Sequence, residues 1–131
     1  MIVVDTSALM AVVLGEEDAD VYASVLTAHA GAVAVSATTL VESALVAEAR
    51  QGIEAARDLT RLIEAVDFDV VAVDESQSAI AVAAWRRFGK GRHSAALNFG
   101  DCFSYALAAH RGAPLLFKGD DFRRTDIAAV L

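Results

Sequence analysis

Cysteine and proline are almost missing from this sequence, which has one residue of each among its 131. The single cysteine, Cys102, excludes a disulfide within the chain and a cysteine-based zinc site. Long apolar runs are missing too, since no stretch approaches the roughly 18 residues that a membrane-spanning helix needs. The N-terminus lacks a basic stretch followed by a cleavable apolar segment. These absences predict a soluble, cytoplasmic protein with no membrane partner.

Basic residues are scarce, with 11 Lys and Arg against 18 Asp and Glu and a net charge of −7. This balance argues against a general nucleic-acid coat protein, because phosphate binding is driven mainly by Lys and Arg. It still allows a local basic patch, and carboxylates gathered around a metal ion would themselves make the net charge negative. Hydrophobic residues make up 56% of the chain. This high fraction predicts that some of them lie on a subunit or partner interface.

The pattern along the chain predicts a single domain, residues 1–131, of the α/β class. Short aliphatic runs alternate with helical periodicities and are separated by turn residues. Strands are predicted at residues 2–4, 32–35, 68–73 and 114–118, with a further edge strand near 129–131. This alternation of strands and helices indicates a mainly parallel sheet of four or five strands with right-handed crossovers.

Asp5 comes directly after the first predicted strand, Ile2-Val3-Val4. An unbroken aliphatic run of this kind is typical of a strand buried on both faces. Because a helical pattern starts right after Asp5, its carboxylate should lie at the carboxyl edge of the sheet, where open α/β folds bind ligands. The alternative is that Asp5 or Ser7 only caps that helix.

Further acids have similar positions, either directly after a predicted strand or in the first turns of a helix near the strand ends. They are Glu42, Asp101 and the adjacent pair Asp120 and Asp121. All of them can therefore reach one edge of the sheet. Two have helix-capping alternatives: a capping box between Thr39 and Glu42, and an Asn98-to-Asp101 cap.

Carboxylates brought within a few ångströms repel one another and raise one another's pKa, at a cost in stability unless a cation neutralises them. Their convergence would therefore predict a bound metal ion. With no cysteine set and no convincing histidine set, the ligands are oxygens, which favour Mg²⁺ and also suit Mn²⁺. The predicted chemistry is metal-assisted hydrolysis of a phosphodiester.

Residues 86–93 form the one concentrated basic segment, and its second half contains two glycines. Basic residues interleaved with an aromatic on a loop suit a phosphate backbone, which makes Arg86, Lys90 and Arg92 candidates for RNA binding. The alternative is a solvated helix end whose Arg residues interact with the negative pole of the helix dipole.

Four sequence blocks together resemble the PIN-domain ribonucleases, and specifically the VapC toxins of bacterial type II toxin–antitoxin modules. They occur in the family's order and spacing and cover nearly the whole chain. The blocks are Val4 to Leu9, Leu40 to Ala44, Leu97 to Phe103, and Leu115 to Phe122.

The resemblance implies a PIN-like three-layer α/β/α fold and a Mg²⁺-dependent endoribonuclease that cleaves structured RNA, often tRNA or rRNA. It also implies inhibition by a cognate VapB-type antitoxin, and a homodimer. In the family pattern Asp5 and Asp101 are metal ligands, and Glu42 helps to hold the metal and its attacking water.

The fourth acid departs from a common PIN pattern. Many PIN sequences carry Thr-x-Asp where this chain has Phe117 and Gly119. The Asp-Phe pair of the VapC-like block aligns with Asp121 and Phe122, which favours Asp121 with Asp120 as its neighbour. Thr6 or Ser7 is expected to hydrogen-bond the acids.

Two other functions fit parts of the pattern. A receiver-type phosphoacceptor domain also has an acidic pocket and a Lys after a late strand, as Lys118 is here. A non-catalytic acidic binding domain would use the same acids only as helix caps.

Overall fold

A four-stranded parallel sheet forms the centre of the fold in the computed structural model, which describes all 131 residues. The strand order is β3-β2-β1-β4, so β1 lies inside the sheet between β2 and β4. The strands are β1 (Ile2–Val4), β2 (Val33–Ser36), β3 (Asp69–Val71) and β4 (Leu115–Leu116). The expected α/β class and parallel sheet are thereby confirmed.

Six helices connect and flank the strands, in agreement with the helical periodicities of the sequence. The helices are α1 (Thr6–Val13), α2 (Ala19–Ala28), α3 (Ala37–Gln51), α4 (Ile53–Val66), α5 (Glu75–Phe88) and α6 (Phe99–Arg111), followed by a short 3₁₀ helix, Phe122–Arg124. None of the helices is both long enough and apolar enough to span a membrane.

The helices cover both faces of the sheet. This is visible from β1, whose alternate side chains point to opposite sides and pack against different helices. Ile2 and Val4 belong to one core cluster, which also contains the buried side chains of α1, α2 and α4. Val3 belongs to the other cluster, with buried side chains of α5 and α6. The result is the three-layer α/β/α arrangement.

The chain leaves β1 toward β2 on one side, and β4 returns to its other side. The order of the strands therefore reverses at β1, and the carboxyl end of β1 is the place where such folds bind ligands. Asp5 is the residue at that place.

The predicted last strand near residues 129–131 is reduced to one isolated bridge, between Leu115 and Ala129. The tail exchanges backbone hydrogen bonds with Leu115 of β4 alone, which donates to the carbonyl of Ala128 at 2.8 Å and accepts from the N–H of Val130 at 3.1 Å. Earlier in the tail, Asp126 accepts hydrogen bonds from Tyr105 at 2.5 Å and from Arg87 at 3.1 Å. The sheet thus has four strands.

Two positions on α2 test the position of the core. Leu26 is fully buried, whereas Val21 is 53% exposed. We expect Leu26→Ala to lower the free energy of unfolding by about 2–5 kcal/mol, because it leaves a cavity in the core. Val21→Ala on the same helix should change it by less than about 1 kcal/mol. Urea unfolding measures both, and equal losses would contradict the assignment.

Candidate acidic active site

Asp5 lies at the junction of β1 and α1 with only 2% of its surface exposed. One carboxylate oxygen accepts hydrogen bonds from the backbone N–H of Ser7 at 3.0 Å and from the Ser7 hydroxyl at 2.7 Å. The other oxygen accepts one from the Ser104 hydroxyl at 2.6 Å. The carboxylate therefore caps α1 and is held in one orientation by groups from two helices.

Two hydroxyl residues support Asp5 in a way that the sequence did not predict. Ser104 and Thr39 are both fully buried, and their hydroxyl oxygens lie 3.1 Å apart. Ser104 is three residues after Asp101 on the same helix, so the two share a helix face. A small hydroxyl residue at this spacing on an otherwise apolar helix is the only sequence signal that would have found it.

The Glu42 carboxylate accepts a hydrogen bond from Thr6, the residue after Asp5, and forms no capping box with Thr39. The capping interpretation of Glu42 is therefore wrong. The helix begins earlier, with Ser36 at its N-cap position, and Thr39 lies inside it. The Thr6 hydroxyl donates to Glu42 at 2.5 Å and accepts from Ser43 at 3.2 Å.

Gly100 lies directly against the Glu42 carboxylate. A Cβ atom at this position would overlap the carboxylate oxygens. The missing side chain thus lets Glu42 reach the first turn of α6, next to Asp101.

Asp101 is the third residue of α6 and forms the capping box with Asn98. Its backbone N–H donates to the Asn98 side chain at 2.9 Å, and its carboxylate accepts from the Asn98 backbone N–H at 3.0 Å. The capping interpretation is therefore correct as a description of the geometry. It leaves the second oxygen of the carboxylate without a hydrogen bond from the protein.

Burial and the negative charges of Asp5, Glu42 and Asp121 raise the pKa of Asp101 to about 7, against the lowering effect of the Asn98 N–H. The ordinary value is 3.8. Burial is the largest cause, and the three acids act in the same direction. The structure therefore brings four of the five sequence-predicted acids into one electrostatic neighbourhood, while Asp120 is exposed on the loop that follows β4.

The segment after β4 is attached to the same cluster. The Lys118 N–H donates to the Ser7 hydroxyl at 3.0 Å, so Ser7 links this segment to Asp5. The Lys118 ammonium points elsewhere and lies 2.8 Å from Glu16 and 2.8 Å from Asp18. Asp120 and Asp121 follow on the exposed side of the loop.

No basic side chain neutralises the candidate acids. The six ion pairs of the structure involve other carboxylates throughout. Oxygen donors without cations, and one of them with a raised pKa, fit a hard divalent ion such as Mg²⁺.

The donors do not form a closed coordination shell, since no three Asp, Glu, His or Cys side chains are grouped closely enough to enclose a metal ion. Thr6 donates a hydrogen bond to one oxygen of Glu42, and the N–H of Asn98 donates to one oxygen of Asp101. The arrangement therefore fits Mg²⁺ that keeps several waters and takes one or two carboxylates directly.

The predicted RNA-binding residues lie at the end of α5 and in the loop after it. Arg92 donates to the carbonyl of Arg86 at 3.1 Å, and its guanidinium lies 4.8 Å from the centre of the Trp85 ring. Lys90 is exposed and lines the same cavity as Asn98, the residue that caps Asp101. The basic loop thus reaches the border of the acidic cluster.

Comparisons with known proteins agree on the family. The model of the PIN domain matches residues 2–128. Ribonuclease VapC30 of Mycobacterium tuberculosis is 48% identical over 128 residues, covering 98% of this chain and 97% of that protein. Ribonuclease VapC of Mycolicibacterium smegmatis is 47% identical and covers 98% of both chains.

Solved structures show the same fold at lower identity. The crystal structure of VapC20 from M. tuberculosis, described as a toxin that cleaves the sarcin-ricin loop, is 21% identical with a TM-score of 0.82 and covers 99% of this chain and 98% of that one. A toxin–antitoxin complex from Klebsiella pneumoniae contains a chain with a TM-score of 0.69 and 20% identity, with 93% and 90% coverage.

The raised pKa of Asp101 makes the stability of the metal-free protein depend on pH. Between about pH 4 and about pH 7 the folded state holds a proton on Asp101 that the unfolded state has lost, so the free energy of unfolding falls as the pH rises through this window. We expect a smaller fall in Asp101→Asn, measured by urea unfolding in chelator at about pH 5 and about pH 8.

Asp58→Asn is the matched control, because Asp58 is an exposed acid on α4. It should keep the pH dependence of the unmodified chain. An Asp101→Asn protein whose stability falls just as steeply would show that Asp101 titrates normally.

Proposed function

The chain belongs to the PIN domain family and, within it, to the VapC ribonucleases, and from this we propose that it is a Mg²⁺-dependent endoribonuclease, the toxin of a VapBC-type toxin–antitoxin module. The observation that carries the proposal is the convergence of Asp5, Glu42, Asp101 and Asp121 at the carboxyl edge of the sheet without a neutralising cation. Such a cluster is costly unless a metal ion is bound there.

Asp5 and Asp101 are the residues we propose as metal ligands. Ser7 and Ser104 hold the Asp5 carboxylate from both sides, so it needs no rearrangement to present the same orientation in every cycle. Glu42, fixed by the Thr6 hydroxyl, would hold and orient the attacking water. Mg²⁺, when bound, lowers the pKa of water and stabilises charge on the leaving oxygen.

The remaining cations are placed to receive an RNA backbone. Five of the 11 Lys and Arg residues form ion pairs. Of the others, all except Arg50 lie in residues 86–92 or at Arg123 and Arg124, which follow Asp121. This distribution supports RNA binding in spite of the net charge of −7.

The partners are proposed from membership of the VapC family. We infer a VapB-type antitoxin, a structured substrate such as tRNA or rRNA, and a homodimer. Large side chains that stay exposed on α3 and α5 supply apolar surface for the protein partners, among them Leu45 at 66% and Val82 at 48%.

The structure does not support the receiver-type alternative. A doubly wound receiver sheet has the order 2-1-3-4-5, whereas the order here is β3-β2-β1-β4. The Lys118 ammonium pairs with Glu16 and Asp18, so it does not serve the Asp5 cluster. The third hypothesis, a binding domain without catalysis, predicts no RNA cleavage and is decided by the next experiment.

Purified protein is expected to cleave RNA in Mg²⁺ and to stop when a chelator is added. Asp5→Asn and Asp101→Asn should each lower the cleavage rate by more than the roughly ten- to hundredfold that is typical for outer partners of a metal site. Gel analysis of a total tRNA and rRNA mixture measures the rate. Thermal melting checks that both variants fold.

Asp58→Asn again serves as the control and should cleave at the normal rate. Unchanged cleavage by both active-site variants would eliminate the proposed site. No cleavage by the unmodified protein under any divalent ion would favour the binding domain.

A second comparison decides the fourth acid. The negative charge of Asp121 is among the causes that raise the pKa of Asp101. We therefore expect Asp121→Asn to lower the cleavage rate by about tenfold or more, and Asp120→Asn to lower it by less than about threefold. The reverse order would transfer the role to Asp120.

A further inference from the structure

Phe99 is the most exposed large hydrophobic side chain in the protein, with 76% of its surface accessible. It is the first residue of α6 and comes two residues before Asp101. An aromatic ring left in water next to a cluster of acids is not explained by packing in the core. An exposed ring at this position could bind a ligand that offers a flat apolar face.

Two cavities meet at this ring. The first, of about 540 Å³, lies between α5 and α6 and is lined by Trp85, Lys90, Asn98 and Phe103 among others. The second, of about 550 Å³, lies along α3 and includes Val41, Glu42 and Gly100. Phe99 is the only residue that lines both. It therefore separates a space that contains the candidate acid Glu42 from one that contains the free cation Lys90.

The two other aromatics of the first cavity, Trp85 and Phe103, already have partners within the protein. The guanidinium of Arg92 lies over the Trp85 ring at 4.8 Å, so one face of Trp85 is already covered. Phe103 packs against Phe99 in a T-shaped arrangement with ring centroids 4.9 Å apart, which restricts the motion of the Phe99 ring. The Phe99 ring is thus exposed to solvent while its position is held by Phe103.

The charges around the first cavity favour a nucleic acid as the occupant. Lys90 on its border and Arg86 and Arg92 beside it form no ion pair with any carboxylate. Aromatic platforms combined with free cations are the features with which proteins bind single-stranded RNA. A cavity of this size is also large enough for a nucleobase.

We propose that Phe99 stacks on a base of the RNA next to the cleaved phosphate, and that Lys90 binds the phosphate of that same nucleotide. The inference rests on the proposed ribonuclease function and deepens it by naming a contact that selects unpaired nucleotides. Stacking on an unpaired base requires the strand to leave its helix at the cut, so the site would act on loops in preference to duplexes.

The test measures binding separately from cleavage. A labelled single-stranded RNA of about 12 nucleotides is titrated with protein, with Ca²⁺ in place of Mg²⁺ because it takes the same oxygen ligands in looser geometry. Gels confirm that the RNA stays intact, and fluorescence anisotropy gives Kd. Trp85 is the only tryptophan, so its emission reports directly on occupation of the first cavity.

The substitutions distinguish stacking from general apolar contact. We expect Phe99→Leu to raise Kd by about 5- to 100-fold, within the range seen when one base-stacking aromatic is lost. Phe99→Tyr keeps the ring and should bind within about twofold of the unmodified chain. Ile53→Ala is the control, because Ile53 is 53% exposed on α4 and lines neither cavity.

Salt dependence separates the two proposed contacts. Lys90→Ala should lower the slope of log Kd against log salt by about 0.7, the value for one phosphate of a single strand. Phe99→Leu should weaken binding with the slope unchanged. Arg57→Ala, a change of charge on α4 outside both cavities, is the matched control for Lys90.

Three results would overturn the inference. These are an unchanged Kd in Phe99→Leu, an equal loss in Phe99→Tyr and Phe99→Leu, or no binding of the oligonucleotide by the unmodified protein. If Phe99→Leu instead shifts the sedimentation of the protein to a smaller species with unchanged Kd, the ring is a contact between copies of the chain. Binding that depends on Phe99 without any cleavage in Mg²⁺ would refute the proposed function and leave this contact standing.

Discussion

The hydrogen bonds that hold the buried Asp5 carboxylate without a cation are the interaction on which the rest of this structure depends. Burial of an isolated charge is very unfavourable, and Asp5 is tolerated because three hydrogen bonds reach it. Those bonds come from Ser7 on α1 and Ser104 on α6, and the two helices cover opposite faces of the sheet. Asp5 therefore joins the two outer layers at the carboxyl edge of β1. Asp101 lies in the first turn of α6, and Glu42 reaches the site from α3, where it accepts a hydrogen bond from Thr6.

The distribution of charge matters more here than its sum. A net charge of −7 would repel RNA from a uniform surface. Twelve of the 18 acids have no ion-pair partner, and the five candidate acids are among them. A divalent ion bound by those five would reverse the local sign of the charge. Apart from Arg50, the cations without an ion-pair partner lie in residues 86–92, where Lys90 lines a cavity with Asn98, and at Arg123 and Arg124, which follow Asp121. An acidic protein can in this way present an attractive path for a phosphate backbone.

Much of this arrangement could be predicted from the sequence because its signals are local. The Ile2-Val3-Val4 run, the Asn98 cap and the strand-to-acid junctions each involve neighbouring residues. Parallel topology then brings the junctions to one edge. The contribution of the Ser104 hydroxyl was missed, because Ser104 is 99 positions from Asp5 in the chain and only its spacing from Asp101 hints at it. The Thr39 capping box failed for a related reason: tertiary partners, Ser104 for Thr39 and Thr6 for Glu42, replaced the local hydrogen bonds.

Helix capping and metal binding, which the sequence left as alternatives, are compatible in the folded protein. Asp5 caps α1 and Asp101 lies in the first turn of α6, so both carboxylates face the positive ends of helix dipoles. This stabilises part of the negative charge without an ion and leaves the second oxygen of Asp101 without a hydrogen bond from the protein. In structural zinc sites the metal supplies much of the folding free energy. Here the helix caps and the two hydrophobic clusters hold the fold. A divalent ion held by Asp5 and Asp101 would therefore not be needed for folding and would be available for the chemistry alone.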